Sequence, residues 1–329
     1  MMAKFFIGAA SVCSFLLLWN WSSKGRLSNR AHAAVKTSVS YLPSDHVSLF
    51  SRSSNRVAIC FWGVNRALPQ TISSIDRNVL NQLTELSIEY NLFFHTYSMR
   101  SITSKWAGEI NSAIPGALNE LSLLSKRNLT RYEITDQSAF DKTSEVSRFT
   151  PVPGWDLDVV LNALRALYSL HRVTLLWEAE AHSNNGLDYY RAVIYLRPDL
   201  HIMTQLNVSH VLSLGRNDWL SPNWEQVNGI NDRLGAGGPR AAKAFGSRII
   251  AARAFSDAGN KFHTETFAKW ALDNQKIHIE FFCLCGIRER SNGAISHEEC
   301  QESKNIIGAP KYSCEEYFPS GTALVNYAG

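Results

Sequence analysis

The chain has 329 residues, enough to bury one large core or two small ones. Its composition, 45% hydrophobic and 19% charged, excludes an intrinsically disordered protein. A formal net charge of +4, spread over scattered lysines and arginines, is too weak to argue for nucleic acid and suits an anionic small ligand as readily as an uncharged one.

Residues 5–21 are apolar and free of charge, close to the roughly 20 residues that a membrane-spanning helix needs. They are expected to act as a signal anchor behind a short cytoplasmic tail, residues 1–4. The alternative is a cleaved signal with secretion, since Ala31-His32-Ala33 has the small-x-small pattern, although the c-region would then be unusually long. Lys4 on one side faces Lys24, Arg26 and Arg30 on the other, so charge does not set the orientation. Residues 22–55, rich in serine and basic side chains, read as a solvated stem.

The folded body is expected from Arg56 to the end, 56–329. Residues 57–62 (VAICFW) form an apolar run typical of a buried strand, closed by Gly63, where a ligand can approach the backbone, and followed by Arg66, which can reach a phosphate. A single glycine there makes neither a Rossmann fingerprint nor a P-loop. Helical spacing of Ile72, Ile75, Val79, Leu83 and Leu86 predicts a helix over 71–90, and 91–97 (NLFFHTY) a strand in which His95 is a packed or edge residue. Residues 104–127 hold helix-compatible stretches broken at Pro115-Gly116. A short strand is expected at 131–136 and an irregular connection over 137–154. The apolar stripe from Val159 to Leu175, with Asp156 and Asp158 at its start, predicts a long helix over 156–180, its Arg165, Tyr168 and Arg172 on the polar side.

Residues 192–196 (AVIYL) predict a buried strand. Arg197-Pro198-Asp199 must end it, because proline cannot donate to a ladder. Arg197 and Asp199 are thereby placed at a carboxyl edge, where α/β sheets bind ligands, and their pairing suits a cation, an anionic ligand such as a phosphate, or merely each other. A strand is expected at 209–214 and a loop over 215–229. Asn231-Asp232-Arg233 then leads through a glycine-rich turn to a helix starting at Gly238-Pro239 and running to about Phe255. Its free N–H groups, with Arg233 and Arg240, suit a phosphate or hydroxyl, or else merely cap the loop. A helix over 263–274 and a strand over 276–282 close the pattern. Alternating strands and helices of this kind predict an α/β fold with a mostly parallel sheet flanked by helices.

Six cysteines are few. Cys13 lies in the apolar segment and Cys60 in a strand, whereas Cys283, Cys285, Cys300 and Cys314 cluster in a C-terminal extension, 283–329. Disulfides in an oxidising lumen are expected among those four, since their spacing matches no standard zinc motif. Sequons at Asn128 and Asn207 permit N-glycosylation in such a compartment.

The segments VAICFWGVNR, NLFFHTY, ALYSLHRV, VIYLRPDL, GINDRLGAGGPRAAKAFGSR and HTETFAKWAL, taken in order, resemble a group of glycosyltransferase-like proteins of the GT-A fold, related to the bacterial lipopolysaccharide-synthesis glycosyltransferases. The resemblance spans about 56–282. It implies transfer of a sugar from a nucleotide-sugar donor to a glycan, lipid or protein acceptor. Gly63, Arg66, Arg197, Asn231 and Arg233 would bind the donor. Asp199 would stand where such enzymes place the last Asp of a D-x-D motif holding Mn²⁺ or Mg²⁺. Arg197 replaces the first Asp, and its guanidinium can take over part of the charge neutralisation. Asp232 would face sugar or acceptor, with Glu265, alternatively Asp232, as general base. Anchor, stem and body also resemble a type II Golgi transferase with a lumenal catalytic domain. Two other functions remain open from the residues: a non-catalytic glycan- or nucleotide-binding protein, and a glycoside hydrolase using Asp199 and Asp232.

Overall fold

The computed structural model describes residues 55–295 apart from residue 185, so the expected tail, anchor and stem, and the chain beyond 295, lie outside it. Among the described residues no helix is long and apolar enough to cross a membrane. The strands are β1 (Arg56–Trp62), β2 (Glu89–Ser98), β3 (Ser101–Ser104), β4 (Glu109–Ala113), β5 (Leu129–Asp136), β6 (Ala192–Leu196), β7 (Leu200–Ile202), β8 (Asp218–Pro222), β9 (Leu234–Gly237), β10 (His278–Phe282) and β11 (Gly286–Arg288). The helices are α1 (Leu68–Ile75), α2 (Asn81–Glu85), α3 (Ala117–Ser125), α4 (Gln137–Asp141), α5 (Leu157–Ser183), α6 (Val208–Ser213), α7 (Pro239–Gly246), α8 (Ala252–Asp257) and α9 (Thr264–Asn274).

Seven strands form the central sheet in the order β10-β8-β9-β6-β1-β2-β5, parallel except for β9. The expected α/β class is therefore the observed one. Central strands of a parallel sheet are buried on both faces, so they read as unbroken apolar runs. In β1, Val57, Ile59 and Phe61 join the cluster built with Leu68, Ile72 and Ile75 of α1 and Leu124 of α3. Its alternate residues Ala58, Cys60 and Trp62 meet Leu170, Val173 and Trp177 of α5 and Phe245 of α7. Two helical layers thus enclose the sheet.

Helix α5 anchors one of those layers. Asp156 caps it by accepting from the Val159 N–H. The Trp177 indole donates to the Tyr195 hydroxyl on β6 at 2.8 Å, and Ser169 accepts from the Gly63 N–H at 2.8 Å. His95 is buried against the same serine, Nδ1 to Oγ 2.7 Å, and burial together with Arg172 pushes its imidazole down to about 3. It is a neutral packing residue. Arg165 and Arg172 pair with Asp141 and Glu133.

The chain runs outward from β1 through β2 to β5, then crosses back along α5 to place β6 on the other side of β1. Connections diverge at the carboxyl ends of β1 and β6, the switch point where α/β sheets open a crevice.

Several expected boundaries shift. The first helix ends at Glu85 after a π-helical turn, Asp76–Leu80, and Tyr90 already belongs to β2. Part of the stretch expected to be helical, 104–127, is the β3–β4 hairpin. Residues 209–214 are helical rather than extended: Asn207 caps α6 through the His210 N–H, and Val208 and Val211 bury one face three residues apart. The loop expected at 215–229 contains a sheet strand, β8, and the glycine-rich turn expected before Gly238-Pro239 contains another, β9. The helix from Pro239 breaks at Gly246, and a 3₁₀ turn, Arg248–Ala251, leads into α8.

Strand β9 needs glycine. Trp219 of β8 lies across it and stacks on Phe245 with ring centroids 4.0 Å apart. A Cβ on Gly235 would come within 2.2 Å of the Trp219 ring, and one on Gly237 within 2.7 Å. Gly235→Ala should destabilise the fold by about 1–3 kcal/mol through overpacking, read as a lower denaturation midpoint at unchanged slope; an unshifted midpoint would show that the indole moves away freely.

Candidate functional site

The carboxyl ends of β1 and β6 carry a buried charge network. Pro198 ends β6, so Arg197 and Asp199 leave the ladder side by side. Arg197 grips Asp199 with both arms of its fork, Nε to Oδ1 2.9 Å and Nη2 to Oδ2 2.6 Å. Arg66, arriving from β1, puts its Nε 3.4 Å from Asp199 Oδ2 and donates from Nη1 to Glu109 of the β4 strand at 2.7 Å. Glu109 is fully buried and also accepts from the Ser291 N–H and hydroxyl, at 2.9 and 2.8 Å. The Arg197 guanidinium sits over the Trp62 ring, and Thr71 of α1 donates to the Pro198 carbonyl at 2.6 Å.

Asp199 is only 1% exposed. Burial alone would raise its carboxyl, but Arg197, by charge and hydrogen bond, and Arg66 outweigh it and hold Asp199 well below the usual carboxylate range. Arg290 completes the cluster. Burial, then the repulsion of Arg288, Arg66 and Arg197 against the attraction of Asp199, brings its guanidinium down to about 10. Three guanidiniums, Arg66, Arg197 and Arg290, thus surround two carboxylates, Asp199 and Glu109. That surplus favours an anion.

A divalent cation does not fit Asp199 as it stands. Both of its oxygens are taken by the Arg197 fork, and Glu109 is saturated by Arg66 and Ser291. Buried Glu120, pushed up to about 8 by burial and by Asp199, keeps its proton in place of a metal. A metal would have to displace a guanidinium from a buried carboxylate in a region already rich in positive charge.

Strand β9 runs antiparallel to β6 with Leu234 opposite Leu196, which delivers Asn231, Asp232 and Arg233 to the same edge. Asn231 is fully buried and spent on its own loop. Its Nδ2 donates to the Trp224 carbonyl at 2.9 Å, and its Oδ1 accepts from the N–H groups of Arg233 and Leu234 at 2.9 and 3.2 Å. It therefore shapes the turn and offers no side-chain group to a ligand. Arg233 pairs with Glu225 at 3.1 Å and lies over the Trp224 ring. Gly63, with φ of +109°, turns the chain after β1, and its N–H is committed to Ser169.

Asp232 and Glu265 form a second carboxylate pair whose environments push them apart. For Asp232 burial acts upward, yet Arg233, Arg197 and Arg248 with the Thr264 hydroxyl outweigh it and hold it below the ordinary value. Glu265, at the start of α9, is pushed up to about 7 by burial and by the neighbouring Asp232 charge. Its Oε2 accepts from the Thr264 hydroxyl at 2.6 Å and lies 3.2 Å from His263 Nδ1. The N-cap position of α9 is His263 rather than Thr264. Arg248, only 1% exposed, faces this pair, stacks on Phe245 at 3.9 Å and is lowered to about 10 by burial against the attraction of Asp232.

Glu109, Arg248 and Arg290 were not among the residues singled out from sequence. Glu109 lay in a stretch with helical patterning, Arg248 inside an expected helix, and Arg290 in an irregular tail. Of the clustered cysteines, Cys283 and Cys285 are both disulfide-bonded, and Cys60 is a buried free thiol.

No protein-family model matches the chain, and no curated protein matches it. Among solved structures, a crystal structure of an active-site mutant of LgtC aligns with a TM-score of 0.37 at 8% sequence identity, over 69% of this chain and 72% of that one. Likeness at that level is silent on chemistry. The α/β class rests instead on the strand order and direction of the sheet itself.

Proposed function

We propose that the carboxyl-edge crevice binds a nucleotide-diphosphate sugar and that the protein is a glycosyltransferase acting on a glycan, lipid or protein acceptor. The observation that carries this reading is the convergence of Arg66, Arg197, Arg290 and the split pair Asp232/Glu265 on one switch point of a mostly parallel sheet. Order and wording of the segments that resemble GT-A glycosyltransferases support it.

In this reading the arginines neutralise the donor diphosphate as it leaves. Asp199 is a positioning residue, since it holds the Arg197 fork in one orientation. Transfer breaks the bond between the sugar anomeric carbon and the diphosphate oxygen and forms one to the acceptor oxygen. The acceptor proton passes to a carboxylate, and the electron pair leaves on the diphosphate. Glu265 is the better base of the pair, because a carboxylate raised to about 7 takes a proton that one held below its ordinary value cannot. Asp232 then keeps its charge toward the sugar or acceptor. A second reading, binding without turnover, draws on the same locked Asp199.

We further propose a type II membrane arrangement with a lumenal, Golgi-resident body, or else secretion after signal cleavage. Disulfide-bonded Cys283 and Cys285 support an oxidising compartment. Asn128 and Asn207 are both exposed. The Asn207 cap uses Oδ1, which leaves Nδ2 for a glycan. Glycosidase treatment of protein from a secretory host should lower its mass; an unchanged mass with both sequons unmodified counts against lumenal residence.

Titration with UDP-, GDP- and CMP-sugars in the presence of a chelator should find one that binds, with affinity lowered at least tenfold in Arg290→Ala. Failure of all of them, with and without Mn²⁺, would remove the donor site.

Glu265→Gln should lower the transfer rate by about 10²–10⁴ while nucleotide affinity holds, and the wild-type rate should climb with pH through about 7. The same variant reads out stability. A carboxyl raised in the folded state keeps its proton after the unfolded chain has released its own, so stability falls as pH rises from the ordinary carboxylate value to about 7. Glutamine removes that loss. The variant should therefore match wild type at pH near 4 and melt above it at pH near 8. Absence of transfer by wild type, with binding intact, would favour the binding-only reading.

A further inference from the structure

We infer that the outer edge of the sheet, away from the crevice, holds a site for a divalent transition-metal ion of the zinc class, formed by Asp218, His278 and Glu280. Residues two apart on a strand share a face, so His278 and Glu280 project together from β10. Register places Asp218, the first residue of β8, directly beside His278. One potential ligand atom from each of the three lies within 4.8 Å of the other two. This cluster sits on the first strand positions of the sheet's outer edge, whereas the crevice opens at the opposite, carboxyl ends.

Two of the three separations match a coordination shell. Zinc ligands lie about 2.0–2.1 Å from the ion, and tetrahedral angles then set neighbouring ligand atoms about 3.3 Å apart. His278 Nδ1 is 3.4 Å from Asp218 Oδ1 and 3.4 Å from Glu280 Oε1. Two carboxylates flank one imidazole, so three potential donors face a common point. A cation placed there cancels their repulsion, the force that would otherwise hold Asp218 and Glu280 apart. Nitrogen mixed with oxygen donors favours zinc over calcium or magnesium.

Outer contacts already orient two of the ligands, as they do around established metal sites. The Gly215 N–H donates to Asp218 Oδ2 at 2.6 Å, which turns Oδ1 toward His278. His210 Nε2 of α6 lies 3.2 Å from Glu280 Oε2, leaving Oε1 for the ion. The ion would clip β10, the edge strand of the sheet, to β8, just before the disulfide-bonded Cys283 and Cys285.

Chelator-treated full-length protein without a histidine tag, titrated with Zn²⁺ by calorimetry and with Co²⁺ by visible absorption, should take up one ion at this site and show the intense bands of tetrahedral cobalt. His278→Ala is the variant of choice, because that side chain is 65% exposed and its removal leaves the core intact. It should lose affinity at least tenfold and lose the cobalt bands, and Glu280→Gln should weaken both in the same direction. Added Zn²⁺ should raise the melting temperature of wild type and leave that of His278→Ala unmoved. No saturable uptake by wild type, or equal uptake by both variants, would overturn the site.

Discussion

A carboxylate buried between two guanidiniums holds the carboxyl edge of the sheet together. Asp199 can keep its charge in a dry setting because Arg197 grips both oxygens and Arg66 approaches one of them. Through these contacts the end of β6 is tied to the end of β1. Arg66 continues the chain of charge to Glu109 in the β3–β4 hairpin, and Glu109 reaches Ser291 near the end of the described chain. The Asp199 carbonyl accepts from the Glu289 N–H at 2.9 Å, so the backbone carries the same tie. Taking away one partner of a buried pair leaves an uncompensated charge, at a cost of about 3–5 kcal/mol. Segments from four parts of the sequence therefore stand or fall as a unit.

The sheet supplies the other constraint. A parallel sheet puts the carboxyl ends of its strands on one edge, yet only two loops can converge where the chain reverses direction across β1. Insertion of the antiparallel β9 adds a third. It enters the sheet at Leu234, opposite Leu196, so the residues just before it arrive beside Arg197. The cost is a strand squeezed against Trp219, which accepts glycine at positions 235 and 237 and closes over Phe245. Asn231 secures the turn by filling its amide with backbone partners. Asp232 and Arg233 are thus placed by a loop that has little freedom of its own.

How much of this was legible in the sequence follows from physical range. β6 was found to the residue because a doubly buried strand is an unbroken apolar run and Pro198 ends it. α5 was found because its stripe repeats over many turns and Asp156 caps it. β8 and β9 were missed because they are short and lack side-chain alternation, the one carrying Asp218 and Pro222 at its ends and the other two glycines in four residues. α6 was read as a strand because six residues show period two and period three equally well, and the Asn207 cap decides. Arg66, Arg197 and Asp199 were visible because each follows a strand that was itself visible. Glu109 and Arg290 were not, since their partners lie far along the chain and only folding brings them near: Ser291 is 182 residues from Glu109. Arg248 was hidden inside an expected helix that in fact breaks at Gly246.

Charge balance distinguishes the two ends of the sheet. At the carboxyl edge Asp199 and Glu109 are matched by Arg66 and Arg197, with Arg290 close by. On the outer edge, Asp218 and Glu280 meet imidazoles, His278 between them and His210 beside Glu280, and no arginine pairs with either among the contacts of the described residues. Arg197 fixes Asp199 and at the same time helps to hold Asp232 ionised beside Glu265. A charged Asp232 raises Glu265 in turn. The Arg197 guanidinium is therefore coupled, through one intervening carboxylate, to the proton affinity of Glu265.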